Sequence, residues 1–336
     1  MAVEKSDNVN PDDIHVELMK AIVRSVSSTP YVLKGGTALL LGYGLDRHSE
    51  DIDFDSPKKL NILNKALSCV PPGIDIISHN TPKNTETVTR HILRYESAAG
   101  IGMLKIETSF RKADGGASNL LDGMRIASLP RLVDNKLRAA FDSETFARDA
   151  VRDLYDLNFL SKEYPASFSS RDIQRLEAFS ANPDELFQRY HGPYERDRIV
   201  SGKISLEELC IEVHDRAREI KANHDLLHQK TLAVSRSFSE GPVGDIFHKV
   251  INEFSAEHKL TLPEYPWNEI GNKTIDRSLE IGIDDLDVRT FLASHSPLSA
   301  LPSYSAKLGF EVTPGVKASE EIVDEPSAAS PPRLHP

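Results

Sequence analysis

The sequence predicts an α/β (α+β) protein in which a core with a mixed sheet is followed by a helical carboxy-terminal region. Two segments in the first half, 51–54 and 103–110, alternate apolar and polar residues, which is the pattern of half-buried strands. From about residue 128 onward, apolar residues recur at helical spacing instead. The two periodicities divide the chain into a sheet-containing part and a helical part.

Four regions follow from these patterns. We predict an amino-terminal helix within 1–30, a sheet core over 31–127, a helical region over 128–311 that completes a cleft, and a disordered tail over 312–336. The tail is rich in Pro, Ser, Ala and Glu, a composition that buries too little apolar surface to offset the entropy lost on ordering. Further expected elements are a helix near 58–69, strands near 74–78 and 88–95, and helices near 171–190, from 205 onward, 243–258 and 284–294.

Composition narrows the class of protein. The 336 residues are 39% hydrophobic and 27% charged, and the net charge of −11 argues against a protein whose whole surface coats nucleic acid. The two cysteines, Cys69 and Cys210, are far apart and predict a reducing compartment without a disulfide framework. No run of about 18 apolar residues and no signal-like start occurs, so we predict a cytoplasmic protein that does not bind membranes.

A glycine pair marks the junction of a strand and a helix. Gly35, Gly36 and Thr37 stand between the β-prone run 31–33 and the helix-prone run 37–41. Such a junction directs free backbone N–H groups toward an anion, and adjacent glycines let the backbone approach a phosphate. Taken alone, the motif is also compatible with a simple tight turn.

Two carboxylates follow the turn on one face of a strand. Asp51 and Asp53 project to the side opposite Ile52 and Phe54. Mg²⁺ is bound through one or two carboxylates together with water and substrate phosphates, so this spacing suits a metal ion. On the strand 103–110, Glu107 lies on the polar face and would add a third carboxylate if the two strands are neighbours. The alternatives are a solvated acidic strand end and an exposed Glu107.

A lysine interrupts an apolar helical stripe. Lys136 falls on the same helix face as Leu129, Leu132, Val133, Leu137 and Ala140. Burying its ammonium is costly without an anionic partner, although a lysine can also extend its charged end into water. On the next helix, Asp149, Asp153 and Asp156 share one face, either as functional acids or as a solvated stripe of ion pairs.

Taken together, these motifs resemble the nucleotidyltransferase-like AbiEii/AbiGii abortive-infection toxins. That family carries a Gly-Gly-Thr/Ser turn followed by Asp-x-Asp, then a strand with an acidic residue, a helix with a lysine, and a helix reading Arg-Asp-x-x-Asp-Leu. All four motifs occur here in order between residues 33 and 157. The resemblance implies a polymerase-β-like nucleotidyltransferase core with a mixed sheet.

The resemblance also implies roles for individual residues. The implied catalytic residues are Asp51, Asp53, Glu107, Lys136 and Asp153, and the implied ligands of Mg²⁺ or Mn²⁺ are Asp51, Asp53 and Glu107. The implied nucleotide-binding residues are Lys34, Gly35, Gly36, Thr37, Arg47, Ser49 and Lys136. Asp156 is expected to be a structural partner of nearby arginines.

The implied activity is Mg²⁺-dependent transfer of a nucleoside monophosphate from an NTP to an acceptor hydroxyl, with a tRNA end or another RNA as the acceptor and a cognate antitoxin as a partner. Transfer to a protein or a small molecule stays open, as does a catalytically inactive nucleotide-binding regulatory module. The intact Asp51-x-Asp53 pair weighs against an inactive module, because a pure binder has no need of paired metal carboxylates.

The predicted tail should be dispensable. We expect deletion of residues 312–336 to change neither the melting temperature nor the rate of nucleotide transfer, because the segment cannot bury enough apolar surface to order itself. Thermal melting and transfer assays on the truncated protein would check this. A clear fall in either quantity would show that the tail packs on the folded part.

Overall fold

The computed structural model describes residues 10–111, 116–141, 149–236, 241–258, 260 and 265–294. The predicted tail 312–336 lies outside the described residues. The described strands are β1 (Val32–Lys34), β2 (Asp51–Asp55), β3 (Ile74–Asn84), β4 (Val88–Ser97), β5 (Gly100–Ser109), β6 (Ser118–Leu121) and β7 (Met124–Ala127). The described helices are α1 (Pro11–Ser25), α2 (Gly35–Tyr43), α3 (Leu63–Ser68), α4 (Leu129–Ala140), α5 (Val151–Glu163), α6 (Ser170–Phe179), α7 (Pro183–Arg196), α8 (Arg198–Ser201), α9 (Leu206–Arg236), α10 (Gly241–His258), α11 (Trp267–Glu280) and α12 (Asp285–Ser294).

The strands form one seven-stranded mixed sheet, which confirms the predicted fold class. Its strand order is β3-β4-β5-β2-β1-β7-β6. The pairs β2–β5 and β1–β7 are parallel, and the other neighbours are antiparallel. The centre of the sheet therefore places β2, which carries the Asp-x-Asp motif, between β5 with Glu107 and β1 with the start of the glycine turn.

The chain divides into two compact units, 1–223 and 224–336, with the border inside α9. In the first unit, one apolar core extends from Leu18 in α1 to Ile220 in α9, so the amino-terminal helix belongs to the same body as the sheet. The second unit has its own apolar cluster, which runs from Phe247 to Leu292 in the described residues. The border falls within the predicted helical region 128–311.

Local patterns located many of the elements, with several differences. Strands β6 and β7 were not predicted from the sequence. The helix expected over 58–69 is confined to α3, because the preceding chain is held extended where Tyr31 Oη donates to the Leu60 carbonyl at 2.8 Å and accepts from the Leu60 N–H at 3.2 Å. Helix α11 was not predicted from the sequence. No described helix is long and apolar enough to span a membrane.

Candidate active site

One cleft of about 380 Å³ collects most of the residues singled out from the sequence. Hereafter "the cleft" means the space lined by Lys34, Gly35, Asp53, Phe54, Glu107, Ser109, Leu132, Asn135, Lys136, Ala139 and Asp153. These residues come from β1, β2, β5 and helices α2, α4 and α5, all in the first unit. The sheet supplies Asp53, Glu107 and Lys34 and the helices supply Lys136 and Asp153, so charges of both signs line one space.

The glycine turn approaches a carboxylate closely. Gly35 has a φ of +75°, and a Cβ added there would lie 3.2 Å from Asp53 Oδ2. Helix α2 begins at Gly35, and no side chain caps its first N–H groups. Because Lys34 pairs with Asp53 in the β1–β2 register, the uncapped helix start lies directly beside this carboxylate. The arrangement can present backbone donors to an anion next to the Asp53 carboxylate.

Asp53 is the carboxylate most open to a new partner. Burial raises the pKa of its carboxyl group, while Lys105 and then Lys34 act in the opposite direction. Within the described part of the chain, the Asp53 carboxylate accepts no hydrogen bond and forms no ion pair. A half-buried carboxylate in this state favours the arrival of a cation.

The other two predicted metal ligands already contact protein cations. Lys105 Nζ lies 2.5 Å from Asp51 Oδ2, and Arg90 Nη2 lies 2.6 Å from Glu107 Oε2. The parallel β2–β5 register does place Glu107 directly beside Asp53, as the sequence suggested. Among the described residues, however, no three His, Cys, Asp or Glu side chains form a group arranged to hold a metal ion. In the structure Asp51 and Glu107 are each paired with a cation of the protein, so the three-carboxylate metal centre stays a prediction.

Lys136 does not reach water. Its side chain is only 8% exposed, and its ammonium lies 2.7 Å from Asp153 Oδ1 and 2.5 Å from Asp156 Oδ2. Burial alone would lower the pKa of the ammonium, but Asp156 and Asp153 outweigh that effect and hold the pKa above its ordinary value. The lysine is therefore charged at neutral pH and fixed at the wall of the cleft, which excludes the extended, solvated conformation considered from the sequence.

An arginine from a distant segment completes this network. Arg47 donates from Nε and Nη2 to the two oxygens of Asp156, both at 2.7 Å, and both cationic partners of the two aspartates, Arg47 and Lys136, are buried. The "buried charge network" hereafter means Arg47, Asp156, Lys136 and Asp153. Asp156 thus has the structural arginine partner that the resemblance implied, although this arginine precedes it by 109 residues.

Three predicted nucleotide-binding side chains lie behind the turn and do not line the cleft. Thr37, which is 1% exposed, donates to the Asp51 carbonyl, and its hydroxyl lies 2.7 Å from that of Ser49. Arg47 is engaged by Asp156, and a Cβ added to Gly36 would lie 2.6 Å from its Nη2 atom. The polar atoms of these side chains are already used inside the protein, where they support the turn. Their contact with a nucleotide stays a prediction.

The chain is similar to known proteins in sequence and in fold. The family model for the nucleotidyl transferase AbiEii toxin, of type IV toxin–antitoxin systems, matches residues 17–308. The chain belongs to the AbiEii family. A crystal structure of a candidate nucleotidyltransferase from Helicobacter pylori is 40% identical, with a TM-score of 0.61, over 64% of this chain and 96% of that one. The crystal structure of JHP933 from the same organism is likewise 40% identical, with a TM-score of 0.61, over 65% and 97%. No curated protein sequence matches this chain significantly.

Sequence patterns overlooked several residues of this AbiEii cleft region. Asp55 continues the alternation of Asp51 and Asp53, and its oxygens accept from Lys34 Nζ at 2.6 Å and Arg131 Nη2 at 2.5 Å. The available signal was the same period of two, extended by one step. Asn135 lines the cleft beside Lys136 with a buried Nδ2 that has no hydrogen-bond partner in the described part of the chain, and no local pattern marks it.

Gly35 offers a matched pair of substitutions with Gly44. Both glycines have left-handed φ values, +75° and +80°, but a Cβ at Gly44 would meet nothing within 4 Å. Each change to alanine should cost about 1–2 kcal/mol of unfolding free energy, the usual strain of that conformation. Only Gly35→Ala should weaken NTP binding and nucleotidyl transfer, because only its methyl group reaches Asp53. Equal activity of the two variants would exclude a role for the close approach.

The buried charge network makes a second prediction. Lys136→Met should lower the free energy of unfolding by about 3–5 kcal/mol, because it removes the ammonium from two buried aspartates. Adding Asp153→Asn should recover part of that loss, so the double variant is more stable than the sum of the single effects indicates. Urea denaturation measures all three variants. A Lys136→Met protein as stable as the wild type would mean that the ion pairs contribute nothing.

Proposed function

We propose that this AbiEii protein transfers a nucleoside monophosphate from an NTP to an acceptor hydroxyl in a reaction that depends on Mg²⁺ or Mn²⁺. The observation that carries the proposal is the shared cleft, in which Asp53, the uncapped start of α2 at Gly35, and the charged Lys136 face the same space. Phosphoryl transfer requires a metal-binding carboxylate, backbone donors and a fixed cation around a phosphate chain. The membership in a family of nucleotidyl transferases agrees with this reading.

The donor set suits a hard divalent cation. Mg²⁺ takes oxygen ligands and needs only one or two protein carboxylates when phosphates and water complete its coordination. Asp53 and Asp51 would hold it, with Asp51 leaving Lys105 as the cation arrives. Such an ion, when bound, neutralises charge that develops on the phosphates. Glu107 is proposed as a further metal contact or as the base that accepts the proton of the acceptor hydroxyl, once released from Arg90.

The remaining roles belong to residues of the cleft wall. The backbone of Gly35 and Gly36 would bind phosphate oxygens, and Lys34 would contribute a nearby positive charge. Lys136 would contact the phosphate chain, since its ammonium stays charged and is held by Asp153 and Asp156. Asp153 would act by fixing the direction of the lysine. These groups are positioned before substrate arrives, which is the condition under which fixed charges accelerate a reaction most.

The acceptor is proposed to be an RNA, with a tRNA end as the first candidate. The protein is proposed to act in the cytoplasm and to have a cognate antitoxin as a partner. The family's toxin–antitoxin description supports an antitoxin partner. Transfer to a protein or a small hydroxylated molecule would use the same cleft. A regulatory nucleotide-binding module is favoured by one observation only, the ion pairs that already satisfy Asp51 and Glu107.

The proposal is tested by incubating the protein with each α-labelled NTP, with Mg²⁺ or Mn²⁺, and with total RNA, protein extract or small-molecule extract. We expect label in the RNA fraction and a requirement for the metal. Asp53→Asn should reduce transfer by on the order of 10²-fold or more while the fold survives, because a half-buried carboxylate loses only its charge. Asp75→Asn, at an exposed acidic residue of β3, is the matched control and should transfer at the wild-type rate.

The outcomes separate the alternatives. Label in the protein or small-molecule fraction would replace the RNA acceptor and keep the nucleotidyltransferase. Tight NTP binding by a protein that transfers nothing, in every extract and with either metal, would favour the regulatory module. Undiminished transfer by Asp53→Asn would remove this carboxylate from the metal site.

A further inference from the structure

A second cavity, of about 460 Å³, occurs in the first unit and shares no lining residue with the cleft. Its walls come from the carboxy-terminal end of α2, from α5, and from the segment that leads into α9. Neither the sequence motifs nor the proposed reaction uses any of its residues. The cavity therefore needs an explanation of its own.

The cavity has an excess of negative charge. Its lining includes four carboxylates and two ammonium groups, which leaves a net charge of −2. Lys203 Nζ lies 3.2 Å from Asp46 Oδ2, so these two charges offset each other. Glu208 and Glu212 form no ion pair within the described part of the chain, and they stand one turn apart on α9. Like charges at this spacing destabilise a helix, and a bound cation would relieve the repulsion.

The buried side-chain amide of Asn158 lies in the same wall, and its oxygen lacks a hydrogen-bond donor among the described residues. Asn158 is 8% exposed, and its Nδ2 donates to Glu212 Oε2 at 2.6 Å. Its Oδ1 is buried and has no hydrogen-bond partner among the described residues. Buried acceptors are nearly always satisfied in native proteins, so an open one at a cavity wall indicates a missing N–H or O–H group. The amide fixes Glu212 and leaves an acceptor beside it.

Aromatic rings complete the lining. The ring of Tyr164 packs edge to face against those of Tyr43 and Phe159, with centroids 5.9 and 5.8 Å apart. The hydroxyls of Tyr43 and Tyr164 donate to the carbonyls of Ala127 and Tyr43, at 2.8 and 2.7 Å. Because the hydroxyls are already used, these side chains offer the cavity their ring surfaces. Flat aromatic surfaces beside carboxylates suit a planar cation.

We propose that this cavity binds a guanidinium group. A guanidinium is planar, stacks on aromatic rings, and carries several N–H donors that can reach two carboxylates and a carbonyl oxygen together. The carboxylates of Glu208 and Glu212 and the Asn158 Oδ1 are the acceptors that the ligand satisfies. The group comes either from a small metabolite or from an arginine side chain of a partner protein, and the experiment below distinguishes the two sources.

The test is calorimetric titration of the full-length protein at about physiological ionic strength, where non-specific attraction between exposed charges is largely screened. Agmatine, which carries a guanidinium, is compared with putrescine, which carries only ammonium groups, and with N-acetyl-arginine amide. We expect saturable binding of agmatine or of the arginine amide, and at least about 10-fold weaker binding of putrescine. Tighter binding of agmatine identifies a free metabolite, whereas tighter binding of the arginine amide identifies a side chain of a partner.

Variants connect the binding to these residues. Glu208→Gln with Glu212→Gln should weaken binding of the guanidinium ligand by about 10-fold or more, because it removes both unpaired charges. Glu207→Gln, at an exposed residue of α9 outside the cavity, is the matched control and should bind normally. Asn158→Leu should also weaken binding, since it removes both the Oδ1 acceptor and the Nδ2 donor that holds Glu212.

Three results would overturn the proposal. The first is the absence of saturable binding for both guanidinium ligands in the wild-type protein. The second is equal affinity for putrescine and agmatine. The third is unchanged affinity in the folded double glutamine variant, with folding verified by its melting curve.

Discussion

The buried charge network is the interaction on which the geometry of the cleft depends. Three separate segments meet in it: the loop after α2 supplies Arg47, α4 supplies Lys136, and α5 supplies Asp153 and Asp156. Removing four charges from water has a desolvation cost that offsets much of their mutual attraction. The network therefore contributes little to the free energy of unfolding in total. The network instead fixes positions. It holds a charged lysine at the cleft wall, and it connects α4 and α5 to the loop after α2, where Arg47 lies close to Gly36.

Cations of the protein itself hold the carboxylates of the neighbouring strands β2 and β5 close together. Asp51 pairs with Lys105 and Glu107 with Arg90, while Asp53 stays open with its pKa raised by burial. Two protein cations thus lower the repulsion that three neighbouring carboxylates would otherwise create. In the proposed reaction, binding of a divalent ion would exchange one cation for another, and Lys105 and Arg90 would remain beside the anionic substrate.

Local sequence patterns predicted the parts of this site that depend on local geometry. The period of two placed Asp51 and Asp53 on one strand face, and the helical stripe identified Lys136 as a buried lysine that needs an anion. Pairs that join distant segments were not predictable in this way, because no local period relates Arg47 to Asp156 or Arg90 to Glu107. The same limit explains Thr37 and Ser49, whose hydroxyls suggested a ligand but bond to each other. Only the family motifs indicated which ligands to expect.

The central claim, that a metal-bound NTP occupies the cleft at the start of α2, is tested most directly by paramagnetic NMR. Mn²⁺ would be added to the isotope-labelled protein together with an NTP whose α,β-bridging oxygen is replaced by a methylene group. The account predicts strong, NTP-dependent broadening of the amide signals of Gly35, Gly36 and Asp53. Loss of signal confined to another part of the chain, or none at these residues when the NTP analogue is saturating, would contradict it.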